Sequence, residues 1–496
     1  MNNTFDVVIV GGGINGAGCA ADAALRGLSV LLCEKDDLAS HTSSKSSQLI
    51  HGGLRYLEYF DIGMVKKSLD EQQHLLDVAP HLVHPLPFVL PHTEQTHPLW
   101  QLHTGLFLYD HLSFINALPN HQRLKRLKDP LYFAPLNDTL DDCFLYYDCQ
   151  TNDARLVIEN ALQAQAAGAT IMTNTALIEA TPRNDEWFLT LQSKSGAEYH
   201  VRSKVVINAS GPWANNLNTL LGLEQTPMTL IKGSHIVVPR CYEGNHAYLL
   251  QDGNKRIVFT IPFNGQTLVG TTEKKFEGNP DVIVIDDDEV DYLCSVVNHY
   301  FRVPIEAKDC ITTWSGVRPL LSNQNKNATS LSRDYVYTIS NKSAFAISII
   351  SGKITTYRQL AENVIDELKP LFPKLPPSPT KTTKLPGAHF NNKTMAEYQT
   401  HLEQTYFFVS HDVLSYYFKT YGALSEHILA PCLAQQSLGL HFGETLYQAE
   451  VDYLIQKEWA TTLDDILWRR TKLGLDMDAK SRAHVSQYLS CSTKSC

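Results

Sequence analysis

The segment VVIVGGGINGAGCA, residues 7–20, specifies the architecture of the N-terminal part of the chain. Its first four residues are apolar and β-branched, which predicts a strand, and the small residues at its end predict a helix. Between these elements lie three glycines with the spacing G-x-G-x-x-G: Gly11, Gly13 and Gly16. This spacing allows a tight turn and lets the backbone approach a pyrophosphate, which a helix N-terminus binds through its free N–H groups.

A second strand is predicted at residues 28–32, and the acidic residue Glu34 follows it. A carboxylate at this position accepts hydrogen bonds from an adenosine ribose and disfavours a 2′-phosphate. Strand, glycine turn, helix, second strand and acid together predict a Rossmann-type dinucleotide-binding domain. The alternative is a tight turn in another α/β fold, and this motif does not separate FAD from NAD.

The composition excludes several classes of protein. With 43% hydrophobic and 19% charged residues, the 496-residue chain has the composition of a globular protein of two or three structural units. A formal net charge of -10 argues against general nucleic-acid binding, which requires clustered Lys and Arg. No segment is typical of a membrane span or a signal peptide, so we expect a cytoplasmic protein whose ten cysteines are reduced thiols. No metal site is predicted.

Periodicity predicts the organisation of the rest of the chain. A helix over residues 154–167 is followed by strand candidates at 170–172, 188–191 and 205–209. Two further strands flank the turn signal Asn264-Gly265 and predict an antiparallel sheet. Six prolines lie between Pro370 and Pro386, which we interpret as a linker, and helical spacing beyond it predicts a helical cap.

Six further motifs resemble those of FAD-dependent glycerol-3-phosphate dehydrogenases, and they spread over nearly the whole chain. They are TSSKSSQLIHGGLRY at residues 42–56, NASGPW at 208–213, KGSHIVVP at 232–239, WSGVRP at 314–319, GKITTYR at 352–358 and WRRTK at 468–472. The chain departs from the family pattern at Ser210, Ser351 and Glu273, and none of these changes removes a residue that the chemistry needs.

The resemblance implies an α/β fold of the D-amino-acid-oxidase-like class, with three parts. A discontinuous Rossmann-type FAD-binding domain would comprise residues 1–75, 149–215 and 336–370, and an antiparallel-sheet substrate domain would comprise 76–148 and 216–335. A proline-rich linker at 371–389 would lead to a C-terminal helical domain at 390–496.

The resemblance also implies the reaction. The enzyme would oxidise sn-glycerol 3-phosphate to dihydroxyacetone phosphate by hydride transfer to non-covalently bound FAD, and ubiquinone would receive the electrons. Two alternatives stay open. One is a related flavin oxidase that passes electrons to oxygen, and the other is a flavoprotein that acts as a sensor without catalysis.

The motifs supply candidates for each chemical role. Arginine suits a phosphate clamp because its charge is permanent and its fork matches phosphate oxygens, so Arg318 and Arg55 of the motifs are assigned there. Arg333, outside the motifs, is assigned to the same clamp, with neutralisation by Asp334 as the alternative. Lys353 would stabilise the developing ketone oxygen. His51 and His235 both suit a general base, and we prefer His51 because its motif also carries Arg55. The predicted cofactor contacts are Gly11, Gly13, Gly16, Glu34, Ser43, Ser44, Ser46, His51, Gly52, Gly211, Gly352 and Thr355.

An apolar stretch at residues 98–119 precedes the basic residues Arg123, Lys125, Arg126 and Lys128. It is interrupted by polar residues and cannot span a bilayer, but it is compatible with lying on one. The alternative to membrane binding is a core helix followed by a solvated turn. The family's habit of docking on the cytoplasmic membrane favours a peripheral membrane protein, and a homodimer is a further option.

Overall fold

The computed structural model describes residues 3–93, 96–115, 117–254, 256–322 and 335–492. Arg333, one of the predicted clamp residues, lies outside these ranges. The strands of the described residues, numbered in chain order, are Thr4–Val10 (β1), Val30–Cys33 (β2), Leu49–Ile50 (β3), Val83–Pro91 (β4), Gln122–Lys125 (β5), Asp142–Thr151 (β6), Thr170–Met172 (β7), Thr175–Arg183 (β8), Glu186–Ser193 (β9), Glu198–Asn208 (β10), Met228–Val238 (β11), Ala247–Gln251 (β12), Ile257–Phe263 (β13), Gln266–Gly270 (β14), Lys274–Phe276 (β15), Thr312–Leu321 (β16), Tyr337–Ser340 (β17), Phe345–Ile349 (β18), His441–Gly443 (β19) and Leu446–Tyr447 (β20).

The α-helices of the same residues are Ile14–Leu25 (α1), Ile62–Val78 (α2), Leu99–His111 (α3), Pro130–Phe133 (α4), Asp153–Ala166 (α5), Ala214–Leu220 (α6), Asp287–Tyr300 (α7), Tyr357–Asp366 (α8), Met395–Thr405 (α9), His411–Tyr421 (α10), Ser425–Leu429 (α11), Gln448–Glu458 (α12) and Ala479–Ser492 (α13). Asp465–Arg470 forms a π-helical turn between α12 and α13. No helix among the described residues has the length and apolar character that crossing a membrane requires.

The first sheet is the predicted Rossmann-type unit. Its strand order is β17-β18-β10-β1-β2-β7, and the pairs that β1 makes with β10 and β2 are parallel. Helices α1, α5 and α8 cover one face with a core of alanine, valine and leucine, and α6 covers part of the other. Both faces are therefore buried, which explains why β1 and β2 are continuous apolar runs. The carboxyl ends of β1, β10 and β18 meet at one edge, where a ligand is expected.

The second sheet is mostly antiparallel, as predicted. Its order is β15-β11-β14-β13-β12-β4-β6-β3, with β16 paired to β11 and β5 to β6. Strands β13 and β14 form the expected hairpin, and both turn residues, Asn264 and Gly265, have positive φ. Helix α7 packs on one face, and α2 and α3 pack on the other. The sheet places β11 and β16 beside the carboxyl edge of the first sheet.

Two details differ from the boundaries that the sequence suggested. Leu49–Ile50 lies within the predicted FAD-binding segment, yet it pairs with β6 in the second sheet, because strand pairing is not encoded in local pattern. The proline-rich segment is not a free linker: Arg26 Nε donates to Pro376 O at 2.7 Å and Leu385 is buried. This segment connects the FAD-binding domain to the C-terminal helices and packs against the end of α1. The C-terminal helices α9–α13 have their own apolar core, as predicted.

Candidate active site

A cavity of about 620 Å³ opens between the two sheets. Its walls come from the loops after β1, β10 and β18 on one side and from β11 and β16 on the other. This volume falls within the range of cofactor and substrate sites in enzymes. Most of the predicted site residues line it: Gly11, Gly13, Glu34, Ser43, Ser46, His51, Gly211, His235, Arg318, Gly352, Lys353 and Thr355.

The dinucleotide end of the cavity is built on the glycine turn. Gly11 has φ of +117°, and a Cβ there would lie 2.5 Å from Ala209 O. A Cβ on Gly16 would lie 1.8 Å from Gly11 O. Only glycine fits at these two positions, because the turn packs directly on the loop after β10 and on α1.

Glu34 lies at the same end, with both carboxylate oxygens held by backbone. Gly12 N donates to Oε2 at 2.6 Å and Asp36 N donates to Oε1 at 2.9 Å. Burial raises the pKa of Glu34, and these two donors act in the opposite direction. The acid is thereby fixed next to the glycine turn, where an adenosine ribose would be recognised.

The N-terminus of α1 faces the cavity at Gly13, which supplies no capping side chain. Ser43 Oγ accepts from Ile14 N at 3.0 Å and thus brings a hydroxyl to the same point. Backbone N–H groups, a helix dipole and a hydroxyl are the donors that a diphosphate needs. The residues present therefore fit a dinucleotide whose diphosphate lies at Gly13 and whose ribose lies at Glu34.

The opposite end of the cavity gathers the predicted reactive residues. Lys353 Nζ lies 4.0 Å from the centroid of the Tyr56 ring. The His51 backbone N–H donates to Thr355 Oγ1 at 3.2 Å, which ties the HGG motif to the loop after β18. Lys353, His51 and Arg318 all line the cavity, and Tyr56 lies near both Lys353 and Arg318.

No anion among the described residues pairs with the guanidinium of Arg318. Among the described residues it makes no hydrogen bond or ion pair, although its guanidinium faces the cavity. Burial lowers the pKa of Arg318; Tyr56 opposes this shift, and the nearby charge of Arg55 adds to it. Gly233 leaves space for the guanidinium, since a Cβ there would lie 3.1 Å from Nη2. An unpaired guanidinium in a cavity is an anion site.

His235 is held as a neutral imidazole. Its Nε2 lies 2.8 Å from Ser47 Oγ, and its ring stacks on Trp314 at 5.7 Å. Burial, reinforced by the charge of Arg318, lowers the pKa of His235 to about 3. A group that binds a proton this weakly is a poor general base near neutral pH. Both predicted bases line the cavity, and the lowered pKa counts against His235.

Of the predicted site residues that the structure describes, four do not line the cavity and support its wall instead. Gly16 packs under the glycine turn, and Ser44 Oγ donates to His41 O at 3.4 Å. Gly52 N donates to Asp148 Oδ1 at 3.3 Å. Arg55 Nη1 lies 4.0 Å from Glu273 Oε2.

Sequence reasoning missed residues that the fold brings to the site. Tyr56 belongs to the HGGLRY motif, whose last residue could have suggested it. Asp148 offered no local signal: it is a buried acid on β6 that accepts from Tyr109 Oη at 2.7 Å and from Gln72 Nε2 at 3.0 Å. Burial raises the pKa of Asp148 to about 7. Its contact with Gly52 anchors the backbone next to His51.

The sheet topology and the glycine turn with its acid are those of a dinucleotide-binding protein, and the cations in the same cavity suit an oxidoreductase that acts on an anionic substrate. A family model described as "FAD dependent oxidoreductase" matches residues 6–358. A second, described as "C-terminal domain of alpha-glycerophosphate oxidase", matches residues 378–491. A crystal structure of a glycerol-3-phosphate dehydrogenase from Bacillus halodurans with FAD shares the fold, with a TM-score of 0.75, 23% identity, and coverage of 98% of this chain and 89% of that one.

Relatives of higher sequence identity show which family of FAD-dependent oxidoreductases the chain belongs to. A glycerol-3-phosphate dehydrogenase from Pseudomonas tolaasii is 44% identical over 99% of this chain and 96% of its own length. The aerobic glycerol-3-phosphate dehydrogenase of Escherichia coli is 39% identical over 98% and 97%. A D-erythritol 1-phosphate dehydrogenase from Brucella abortus is 41% identical over 97% and 96%. The chain belongs to the family of FAD-dependent glycerol-3-phosphate dehydrogenases. The predicted family, fold class and cofactor are thereby confirmed.

Proposed function

We propose that this enzyme oxidises sn-glycerol 3-phosphate to dihydroxyacetone phosphate. The observation that carries the proposal is Arg318, a permanent cation in the cavity wall that pairs with no anion in the described part of the chain. A phosphate dianion satisfies such a group, whereas a neutral polyol does not. Arg55 adds charge beside it, and Arg333, outside the described residues, is proposed as the remaining clamp residue.

The reaction divides among the residues at the far end of the cavity. Arg318 and its neighbours bind the phosphate and thereby fix the secondary alcohol. His51 accepts the hydroxyl proton, and Lys353 stabilises the oxygen that becomes the ketone. Bound FAD would supply the hydride acceptor. Asp148, through Gly52, holds the backbone that carries His51.

Anaerobic mixing of the purified protein with sn-glycerol 3-phosphate tests this function. We expect loss of the oxidised-flavin absorbance and one equivalent of dihydroxyacetone phosphate per flavin. D-Erythritol 1-phosphate is the second candidate substrate, because a relative of 41% identity bears that name. A flavin that D-erythritol 1-phosphate reduces faster would reassign the substrate, and a flavin that neither compound reduces would favour the sensor alternative.

We propose ubiquinone as the electron acceptor and the cytoplasmic membrane as the docking partner. An apolar surface supports the membrane docking: Trp100 is 71% exposed on α3, Phe114 is 92% exposed after α3, and Phe60 is 86% exposed just before α2. We call these three side chains, with Phe107 and Leu108, the apolar face. Large aromatic residues exposed together are typical of a surface that lies on a membrane. Reoxidation by oxygen at a rate equal to turnover would instead support the oxidase alternative.

The basic residues after α3 contribute less to the proposed membrane binding than the sequence alone suggested. Arg123 and Lys125 both pair with Asp142, at 2.6 and 2.7 Å. Arg126 donates to Leu140 O at 2.7 Å. These side chains are largely neutralised or occupied, so apolar contacts carry more of the proposed membrane binding than basic ones.

Replacing Trp100, Phe107 and Phe114 together with Ser is therefore expected to reduce binding to liposomes of anionic phospholipid at least tenfold, since each buried aromatic contributes about 1.5–3 kcal/mol. Cosedimentation measures the bound fraction. Phe407→Ser is the matched control, because Phe407 is 80% exposed on the C-terminal domain, outside the apolar face. Equal binding by the triple variant and the control would move the docking surface elsewhere.

A further inference from the structure

The C-terminal domain contacts the FAD-binding domain through a buried arginine that forms a bidentate ion pair. Arg470 is fully buried, and its Nη1 and Nη2 donate to the two oxygens of Asp37 at 2.6 and 2.8 Å. Arg469 Nε donates to the same carboxylate at 2.6 Å. Asp37 is itself buried, so this bidentate contact is shielded from water and from salt.

Asp37 belongs to the segment that forms the adenosine end of the cavity. This segment, residues 34–39, begins at Glu34, whose carboxylate accepts from Gly12 N, and ends at Ala39, whose N–H donates to Gly12 O at 3.0 Å. Both ends of the segment are therefore hydrogen-bonded to Gly12 of the glycine turn, and Arg470 binds Asp37 in the middle of the segment. Glu34 and Ala39 both line the cavity.

A second contact reaches the other cofactor loop. Lys472 Nζ lies 3.5 Å from Asp153 Oδ1, and Asp153 Oδ2 accepts from Ser46 Oγ at 2.7 Å. Arg470 is oriented in turn by Glu458 O, to which Nε donates at 3.2 Å. The short stretch from Arg469 to Lys472 therefore contacts acids that support both the ribose segment and the serine loop.

We propose that Arg469 and Arg470 are positioning residues for FAD, by which the C-terminal domain holds residues 34–39 in their cofactor-binding conformation. Of the described residues that line the cavity, none lies beyond Thr355, so the C-terminal domain acts only through these contacts. Without Arg470, Asp37 keeps only its contact with Arg469 and loses the bidentate contact that fixes the middle of its segment. The segment is then held less firmly, and Glu34 moves with it. FAD affinity then depends on a domain that supplies no atom to the cavity.

The test follows FAD release from full-length holoenzyme after dilution, through the fluorescence of free flavin, at a temperature where far-UV circular dichroism shows a folded protein. Arg470→Met is expected to weaken FAD binding about tenfold, the typical loss when a residue that orients a ligand-binding group is removed. Arg470→Lys keeps the positive charge but loses the bidentate geometry, so its FAD affinity should lie between those of the wild type and Arg470→Met. The FAD concentration that gives half-maximal activity should rise in the same proportion.

Arg482→Met is the control. Arg482 also lies in the C-terminal domain, but it donates to Met477 O at 3.0 Å and to Gly474 O, within that domain. We expect it to lower thermal stability and leave FAD affinity unchanged. Equal FAD release from Arg470→Met and Arg482→Met would overturn the proposal.

A double-mutant cycle isolates the contact itself. Asp37→Asn and Arg470→Met should each weaken FAD binding, and the double variant should lose no more than the larger single effect, because both changes remove one interaction. Additive losses would refute the coupling. If Arg470→Met does not fold, Asp37→Asn and Arg470→Lys carry the test, and wild-type FAD affinity in both would overturn the proposal.

Discussion

Replacing His51 with Asn is expected to lower the rate of anaerobic flavin reduction about 10²–10⁴-fold while FAD stays bound, the loss typical of removing a general base. His51 lines the reactive end of the cavity, and its backbone is fixed by Thr355 on one side and through Gly52 by Asp148 on the other. Asn keeps a polar side chain of similar reach but cannot accept the proton at neutral pH. Stopped-flow absorbance of the flavin measures the rate.

His235→Asn is the comparison that separates the two histidines. Since burial and Arg318 hold the pKa of His235 at about 3, its removal changes a hydrogen bond to Ser47 rather than a proton acceptor. We expect a loss of about tenfold, the scale of one hydrogen bond of about 1.4 kcal/mol. If His235→Asn abolishes flavin reduction and His51→Asn does not, the base is His235.

Local physics explains which parts of the fold could be predicted. The turn from Gly11 to Gly16 and the acid Glu34 lie within one short unit, where spacing and strand pattern determine the geometry. The hairpin around Asn264-Gly265 is equally local. In contrast, β1 pairs with β10 almost two hundred residues later, and β3 joins the second sheet, and neither pairing has a signature in the chain.

The functional site likewise has features that a local motif predicts and features that only the folded structure shows. Membership of a motif suggested that Arg318 and Lys353 are functional, but only the fold shows that Arg318 lacks a protein partner among the described residues. The WRRTK motif signalled family membership, whereas its contact with Asp37 joins positions more than four hundred residues apart. His235 and His51 were nearly equivalent in sequence. Burial, a property of the assembled sheets, distinguishes them.

Arg318→Lys is expected to lower kcat/KM for sn-glycerol 3-phosphate about 10- to 100-fold, chiefly through KM, because it keeps the charge but loses the fork that matches a phosphate. This corresponds to roughly 1.5–3 kcal/mol, the scale of a hydrogen bond to a charged group. FAD should stay bound, since Arg318 lies on β16 of the second sheet and makes none of the contacts that fix the glycine turn and Glu34. Steady-state kinetics with a dye acceptor and the flavin content of the protein measure the two effects.

Two controls identify the phosphate as the group that Arg318 recognises. Glycerol lacks the phosphate, so its slow oxidation should be nearly the same in Arg318→Lys and wild type. Arg302→Lys tests whether any arginine of the second sheet's domain matters: Arg302 donates to Leu136 O at 2.7 Å and to Asp138, away from the cavity. We expect that variant to keep wild-type kcat/KM. If Arg318→Lys also keeps it, Arg318 is a structural residue and the unpaired guanidinium no longer supports a phosphorylated substrate.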